Sequence, residues 1–143
     1  MKTDIIKTPA RTITETDIVR FAGLSGDYHP AHTNEIYALT TSISGKRVAH
    51  GLLILSISEG LFFRTNYFDW EHVPLMTLGF ENVKFPNPTF IGDTIHTELF
   101  IKSKRDSSKH KGMEIIIFHA NVVNQEDIIV CEYDHPIIAK KQI

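Results

Sequence analysis

The chain has 143 residues, 42% of them hydrophobic and nine of them Phe, enough for one core, and residues 1–143 read as a single domain. Fifteen Lys+Arg against 17 Asp+Glu give a net charge of -2 and a pI near 6.4, with no basic block, which excludes a sequence-wide field for nucleic acid or an anionic membrane. The one cysteine, Cys131, cannot close an internal disulfide, and MKTDIIKTPART has no apolar leader, so the expected location is the reducing cytoplasm.

Taken in order, residues 3–9 predict a short edge strand, the setting in which Pro9 is tolerated. Thr14 is placed to cap a helix, with Asp17 three residues on near the positive helix end; Ile18, Phe21 and Ala22 recur at helical spacing, and Gly23 and Gly26 close the element. Asp27 to His32 reads as a stiff, extended loop, because Pro30 fixes its own φ and biases His29 away from the helical region. Thr33 or Asn34 then caps a short helix with Ile36, Tyr37 and Thr40 on one face, and Ser44-Gly45-Lys46 is a turn.

From Leu52 to Phe63 nearly every position is apolar, which predicts a helix buried all round. Gly60 inside it costs about 1 kcal/mol against Ala, an expense that predicts another backbone packed closely there. The run is shorter than the roughly 20 residues that span a bilayer. Residues 77–85, 94–102, 113–124 and 128–138 carry β-branched and aromatic residues in partial alternation and read as strands. Pro86-Asn87-Pro88 and Gly92-Asp93 break the first two, while Lys104 to Lys111, ended by Gly112, and Asn124 to Asp127 read as hairpin tips. Cys131 falls inside an alternating run and is a packed strand residue rather than a nucleophile. Helices first, strands after and one apolar helix needing cover predict an α+β fold, an antiparallel sheet curled around that helix, with a homodimer as the default.

The chemistry concentrates in LSGDYHPAHTNEIYALTTSISGKRVAHGLLILSISEG, from Leu24 to Gly60. Each polar group there has a plain structural reading: Asp27 as a turn residue, His32 at a helix start, His50 as a satisfied core histidine. Together, Asp27 and His32 form a carboxylate and an imidazole that can hold one water between them, the carboxylate as base and the imidazole as proton donor, which is hydration or dehydration chemistry. Gly51, at the first turn of a helix, offers an uncovered N–H to a developing oxyanion. His50 is read as the anchor that aims this N–H. Asp27, His29, His32 and His50 are also conceivable metal ligands, but Pro30 inside His-x-x-His and the distance to His50 argue against a metal, and none is assigned. Lys46, Arg47 and Lys84 are bases within reach of an anionic ligand, with no one of them preferred.

The strings PARTITETDIVRFAGLSGDYHPAHTNEIYA, VAHGLLILSISEGL and FENVKFPNPTFIGDTI resemble the MaoC-like dehydratases, which include the (R)-specific enoyl-CoA hydratases of the hot-dog fold. The resemblance runs from Pro9 onward and implies a sheet wrapped around a central helix, a homodimer or higher homo-oligomer, and an acyl thioester substrate on CoA or acyl carrier protein. No cofactor is implied beyond the CoA of the substrate. By the same resemblance Asp27 and His32 match the catalytic pair and Gly51 the donor to the thioester carbonyl. Two positions depart from the family pattern: His29 stands where the loop usually has Asn, and Glu59 where the hydratases carry a small hydroxyl residue, so Glu59 is expected at the acyl pocket. The expected reaction is reversible hydration of a trans-2-enoyl thioester to the (R)-3-hydroxyacyl thioester. A hot-dog thioesterase and a non-catalytic acyl-thioester binding subunit are the alternatives.

Overall fold

Strand by strand, the second half of the chain alternates buried and half-buried side chains, as a sheet with one face on a core must. The computed structural model describes residues 4–142, so Thr3 of the expected first strand lies outside the described residues. The elements run β1 (Ile6–Lys7), β2 (Arg11–Thr12), α1 (Glu15–Ser25), α2 (Pro30–Thr33), α3 (Glu35–Thr40), α4 (Gly51–Phe63), β3 (Leu75–Thr77), β4 (Glu81–Lys84), β5 (Thr94–Asp106), β6 (Met113–Val123) and β7 (Ile129–Lys140). All pairings are antiparallel, in the order β1-β5-β6-β7-β3, with β2 continuing along β5 and β4 along β7.

This sheet holds α4 against its inner face, the hot-dog arrangement. Leu53, Ile54, Ile57, Leu61 and Phe62 of α4 share one core with Ile95 and Leu99 of β5, Ile116, Phe118 and Ala120 of β6, and Tyr133 and Ile137 of β7. Phe62 meets Phe118 edge to face, ring centroids 5.0 Å apart. Burying one such ring contributes about 1.5–3 kcal/mol, so this contact surface is what fixes the helix on the sheet. The hydroxyls inside it are paired: Ser58 Oγ lies 2.7 Å from both Thr97 Oγ1 and Tyr133 Oη. Cys131 is fully buried opposite Val122, and burial pushes its thiol up to about 12, which suits a packing residue.

Local signals explain most boundaries. Thr14 caps α1 and Asp17 answers with its own side chain to the Thr14 N–H, a complete capping box. Gly26, at φ 78°, ends that helix in the left-handed region, whereas Gly23 lies inside it rather than closing it. Asn34, not Thr33, caps α3 by accepting the Tyr37 N–H.

Three expectations are corrected. The Asp27–His32 loop is not extended throughout, because Pro30 opens the helical turn α2, a position where its missing N–H costs nothing. Helix α4 is not covered on all sides: Leu52, Ser56 and Gly60, spaced four apart, form an exposed strip. Among the described residues no other segment packs at Gly60, where an added Cβ would meet nothing within 4 Å. No helix among the described residues is long and apolar enough to cross a membrane.

Candidate active site

The loop after α1 and the N-terminus of α4 meet through backbone carbonyls. His50, buried and last before α4, lies with its Nε2 2.9 Å from the carbonyl oxygen of Asp27, so Nε2 carries the hydrogen and donates it. This bond ties the start of the central helix to the Asp27 loop, the anchoring role expected of His50. His32 stacks on the same ring, centroids 3.8 Å apart. Its Nδ1 stands 2.6 Å from the carbonyl of Val48, so Nδ1 is the protonated nitrogen and the Nε2 lone pair faces outward. Burial holds this imidazole below its ordinary value near 6.5, which keeps it neutral at neutral pH.

Asp27 Oδ2 lies 3.9 Å from that Nε2. The other carboxylate oxygen, Oδ1, accepts the His29 N–H at 3.1 Å, and that bond is the main reason Asp27 sits below the usual carboxylate range. The two facing atoms are therefore both acceptors. A water seated between them can give one hydrogen to each and turn its lone pair outward. This differs from the sequence expectation in one respect: the resting imidazole receives a hydrogen rather than donates one.

Gly51 opens α4 as its first residue, and its N–H is one of the leading helix donors that has no partner within the helix. It lines a groove of about 770 Å³ with His29, Ala31, Tyr37, Ile54 and Phe85. Asp27 and His32 are not among the residues lining that groove. A side chain there requires a shift: a Cβ on Gly51 would stand 2.8 Å from Cζ of Phe85. Phe85 carries no sign of this in the sequence, where Phe-Pro-Asn-Pro reads only as a strand break.

His29 does not enter the pair. Its Nδ1 accepts the Ala31 N–H at 3.1 Å and so caps α2, serving the turn that carries His32. Glu59 stands about 12 Å further along α4 than Gly51 at 1.5 Å per residue, does not line the groove, and bonds elsewhere. Thr77 Oγ1 donates to its Oε1 at 3.1 Å, and its Oε2 lies 3.3 Å from Nδ1 of the fully buried His135, off the line of a hydrogen bond. Glu59 thus lies outside the groove that Gly51 lines.

Burial raises Glu59 to about 7 and pushes His135 down to about 4. Each is thus favoured in its neutral form. A carboxyl raised on folding loses stability as pH climbs from 4.5 toward 7, and an imidazole lowered on folding loses it as pH falls from 6.5 toward 4. The slopes oppose each other between pH 4.5 and 6.5. Glu59→Gln should expose the His135 slope: urea unfolding at pH 5.0 and 6.5 should give a stability that rises with pH more steeply in the variant than in the wild type, by about 1 kcal/mol per pH unit. Parallel curves for the two proteins would exclude Glu59 from that balance.

Asp27, His32 and His50 bring three ligand-type atoms within 4.8 Å of one another. A metal lies in the plane of each imidazole it binds, and the stacked rings of His32 and His50, 26° apart in plane, set their lone pairs side by side rather than converging. Each ring also has one nitrogen committed to a carbonyl, and His29 is committed to α2. The donor set suits a held water better than a cation. Arg47 is occupied by Glu15 and Glu35, and Lys46 lies over the Phe90 ring, 4.1 Å from its centroid.

Comparison with known proteins gives a consistent result. Residues 1–122 match the family described as MaoC like domain. Protein MaoC of Klebsiella aerogenes is 42% identical over 108 residues, 76% of this chain and 30% of that protein. A Rhodospirillum rubrum protein named (R)-specific enoyl-CoA hydratase is 44% identical over 87 residues, 60% of this chain and 56% of the relative. The chain thus spans less than two thirds of the length of the curated relatives it matches. A solved structure from Archaeoglobus, described as a monoamine oxidase regulatory protein, superposes with a TM-score of 0.87 at 31% identity, covering 99% of this chain and 91% of that one. With the family match embracing the Asp27 loop, the start of α4 and two of the three long strands, this chain belongs to the MaoC-like domain family and has its hot-dog fold.

Proposed function

We propose that the chain is an acyl-thioester hydratase that reversibly adds water to a trans-2-enoyl-CoA to give the (R)-3-hydroxyacyl-CoA. The observation that carries this reading is the 3.9 Å separation of Asp27 Oδ2 and His32 Nε2, both acceptors, on a loop bonded through the Asp27 carbonyl to His50, the residue before Gly51. The names of two curated relatives, both (R)-specific enoyl-CoA hydratases, support it.

In this reading one water donates to Asp27 and to His32 while its lone pair attacks the β-carbon. The new C–O bond forms as the π electrons move to the thioester oxygen, and the Gly51 N–H holds the enolate charge there. The water proton passes to His32 Nε2, whose lone pair faces the carboxylate across the water, and the carboxylate offsets the imidazolium. His32 then returns a proton to the α-carbon, which balances the addition. The sequence reading gave Asp27 the base role; the tautomer of His32 favours this exchange. No metal and no cofactor beyond the CoA of the substrate enter the scheme. A second copy of the chain as partner is supported by the exposed apolar residues Leu52, Met76 and Leu78. Whether CoA or acyl carrier protein bears the acyl group is part of the same proposal, as is a reducing cytoplasmic location, which the single buried Cys131 suits.

The test follows the enoyl-thioester absorbance of crotonyl-CoA and longer trans-2-enoyl-CoAs with free thiol monitored alongside. Loss of the band without thiol supports hydration; thiol release would replace it by thioester hydrolysis, and silence with measurable ligand binding would point to a binding subunit. For the active protein, log kcat/KM should stay level down to pH 6.5 and fall only below it, because His32 must be neutral and its value is lowered by burial. An acid limb above pH 6.5 would contradict that assignment.

A further inference from the structure

The tautomer of His32 depends on one peptide carbonyl, that of Val48, on a strap bridged to Phe90 and bonded through the Ala49 N–H to the Thr89 carbonyl at 2.8 Å, and the residue before it adds a second tie. Arg47 spreads its guanidinium over two carboxylates. Nη1 and Nη2 donate to the two oxygens of Glu15, each at 2.7 Å, and Nε donates to Glu35 at 2.8 Å. Glu15 opens α1 and Glu35 opens α3, the helices on either side in sequence of α2, which carries His32. The strap leaving Arg47 is in turn laced to α2: the Val48 N–H donates to the Ala31 carbonyl at 3.2 Å, and the Val48 carbonyl accepts His32 Nδ1–H at 2.6 Å.

We infer that Arg47 is a positioning residue for the hydration site: by bridging α1 and α3 it fixes the Val48 carbonyl against His32 and so keeps the imidazole proton on Nδ1 and the lone pair on Nε2. The inference rests on the hydratase reading for its consequence, but its physical content, the tautomer, is measurable without turnover. Arg47 touches no reacting atom in this account. It acts through the strap.

Exposed ion pairs in general contribute little, and Glu15 and Glu35 are both more than half exposed. This guanidinium differs in being only 18% exposed and in making three aligned bonds, two of them bidentate, to two separate helices. Lysine cannot reproduce that fork. With the clamp removed, the strap keeps its bonds to Thr89, Phe90 and Ala31 but loses its tie to α1 and α3, so the Val48 carbonyl can shift relative to His32 and the proton can move to Nε2, the nitrogen that has to accept a hydrogen from water. The site would then present a donor where an acceptor is required.

The experiment compares ¹⁵N-imidazole spectra of the full chain as wild type, Arg47→Gln, Arg47→Lys and Glu35→Gln at pH 7.5, the His32 signals being identified by their loss in His32→Gln. A single Nδ1–H tautomer is expected in the wild type, a mixture in Arg47→Gln, and intermediate mixtures in Arg47→Lys and Glu35→Gln. In hydratase assays Arg47→Gln should lower kcat by about 10- to 100-fold with KM changed less than about threefold, as small misplacements of a reacting group do. Thermal unfolding and far-UV circular dichroism verify that each variant is folded. If Arg47→Gln does not fold, Arg47→Lys and Glu35→Gln decide, since each keeps part of the clamp. A pure Nδ1–H tautomer in all folded variants overturns the inference. A wild type silent on every enoyl thioester would overturn the hydratase reading instead, while the spectra would still decide what Arg47 does.

Discussion

Asp27→Asn is expected to lower the rate of enoyl-thioester hydration by about 10²- to 10⁴-fold, the range for loss of one acid–base group, while the fold persists. The amide oxygen of Asn can still accept the His29 N–H, so the turn that Asp27 closes is retained. The atom facing His32 Nε2 is what changes. A carboxylate oxygen there accepts a hydrogen from water and offsets the positive charge that forms on His32; an amide offers neither a charge nor, when its NH₂ faces the water, an acceptor. His32→Gln should cost at least as much, since it removes the proton acceptor itself. Single-turnover rates on crotonyl-CoA, with circular dichroism as control, give the comparison. An Asp27→Asn protein retaining most of its rate would place the water elsewhere.

The second large effect is expected at Gly51. Its N–H is the donor assigned to the enolate oxygen, and removing one such donor typically lowers kcat by about 10²- to 10³-fold. Alanine leaves the N–H in place, so the loss has to come from geometry. The added methyl would stand 2.8 Å from Phe85 Cζ and 2.9 Å from Cε2, inside the closest approach that carbon atoms adopt. Either the first turn of α4 moves, taking the N–H with it, or the Phe85 ring, 45% exposed, swings and changes the groove it lines. Both outcomes should reduce turnover by an amount approaching that of the missing donor. A second change separates them from general damage: Phe85→Leu in the Gly51→Ala background removes the obstructing ring edge and should restore part of kcat. Gly51→Ala with wild-type kcat would mean that the oxyanion is held by another group.

Read along the chain, the elements that could be foreseen are those whose cause is local. Thr14 with Asp17 is a capping box written in four residues, Asn34 caps α3 from its own side chain, and the turns at Gly26, Gly45 and Gly112 need a left-handed residue at that point. The long strands show because their inner positions alternate. What failed to show was set by neighbours distant in sequence. Helix α4 is apolar nearly all round, yet which of its faces the sheet covers follows from the curl of β5, β6 and β7, and that leaves Leu52, Ser56 and Gly60 outside. Glu59 stands out in the sequence because it falls where the resembled hydratases carry a small hydroxyl residue, and the fold sets its carboxyl against Thr77 and His135. His29, one of four conceivable ligands by residue type, caps α2.

The sequence by itself determined the α+β class, the candidate loop, the pairing of Asp27 with His32 and the glycine at the head of the central helix, because each follows from residue type and short spacing. Only the tertiary structure decided which nitrogen of His32 carries the proton, that the Phe85 ring crowds Gly51, and that Arg47 bonds to carboxylates on two helices. Those depend on the Val48 carbonyl, a ring from the β4–β5 connection and carboxylates at positions 15 and 35. Backbone carbonyls have no residue signature, and contacts between distant segments exist only once the sheet has closed around its helix.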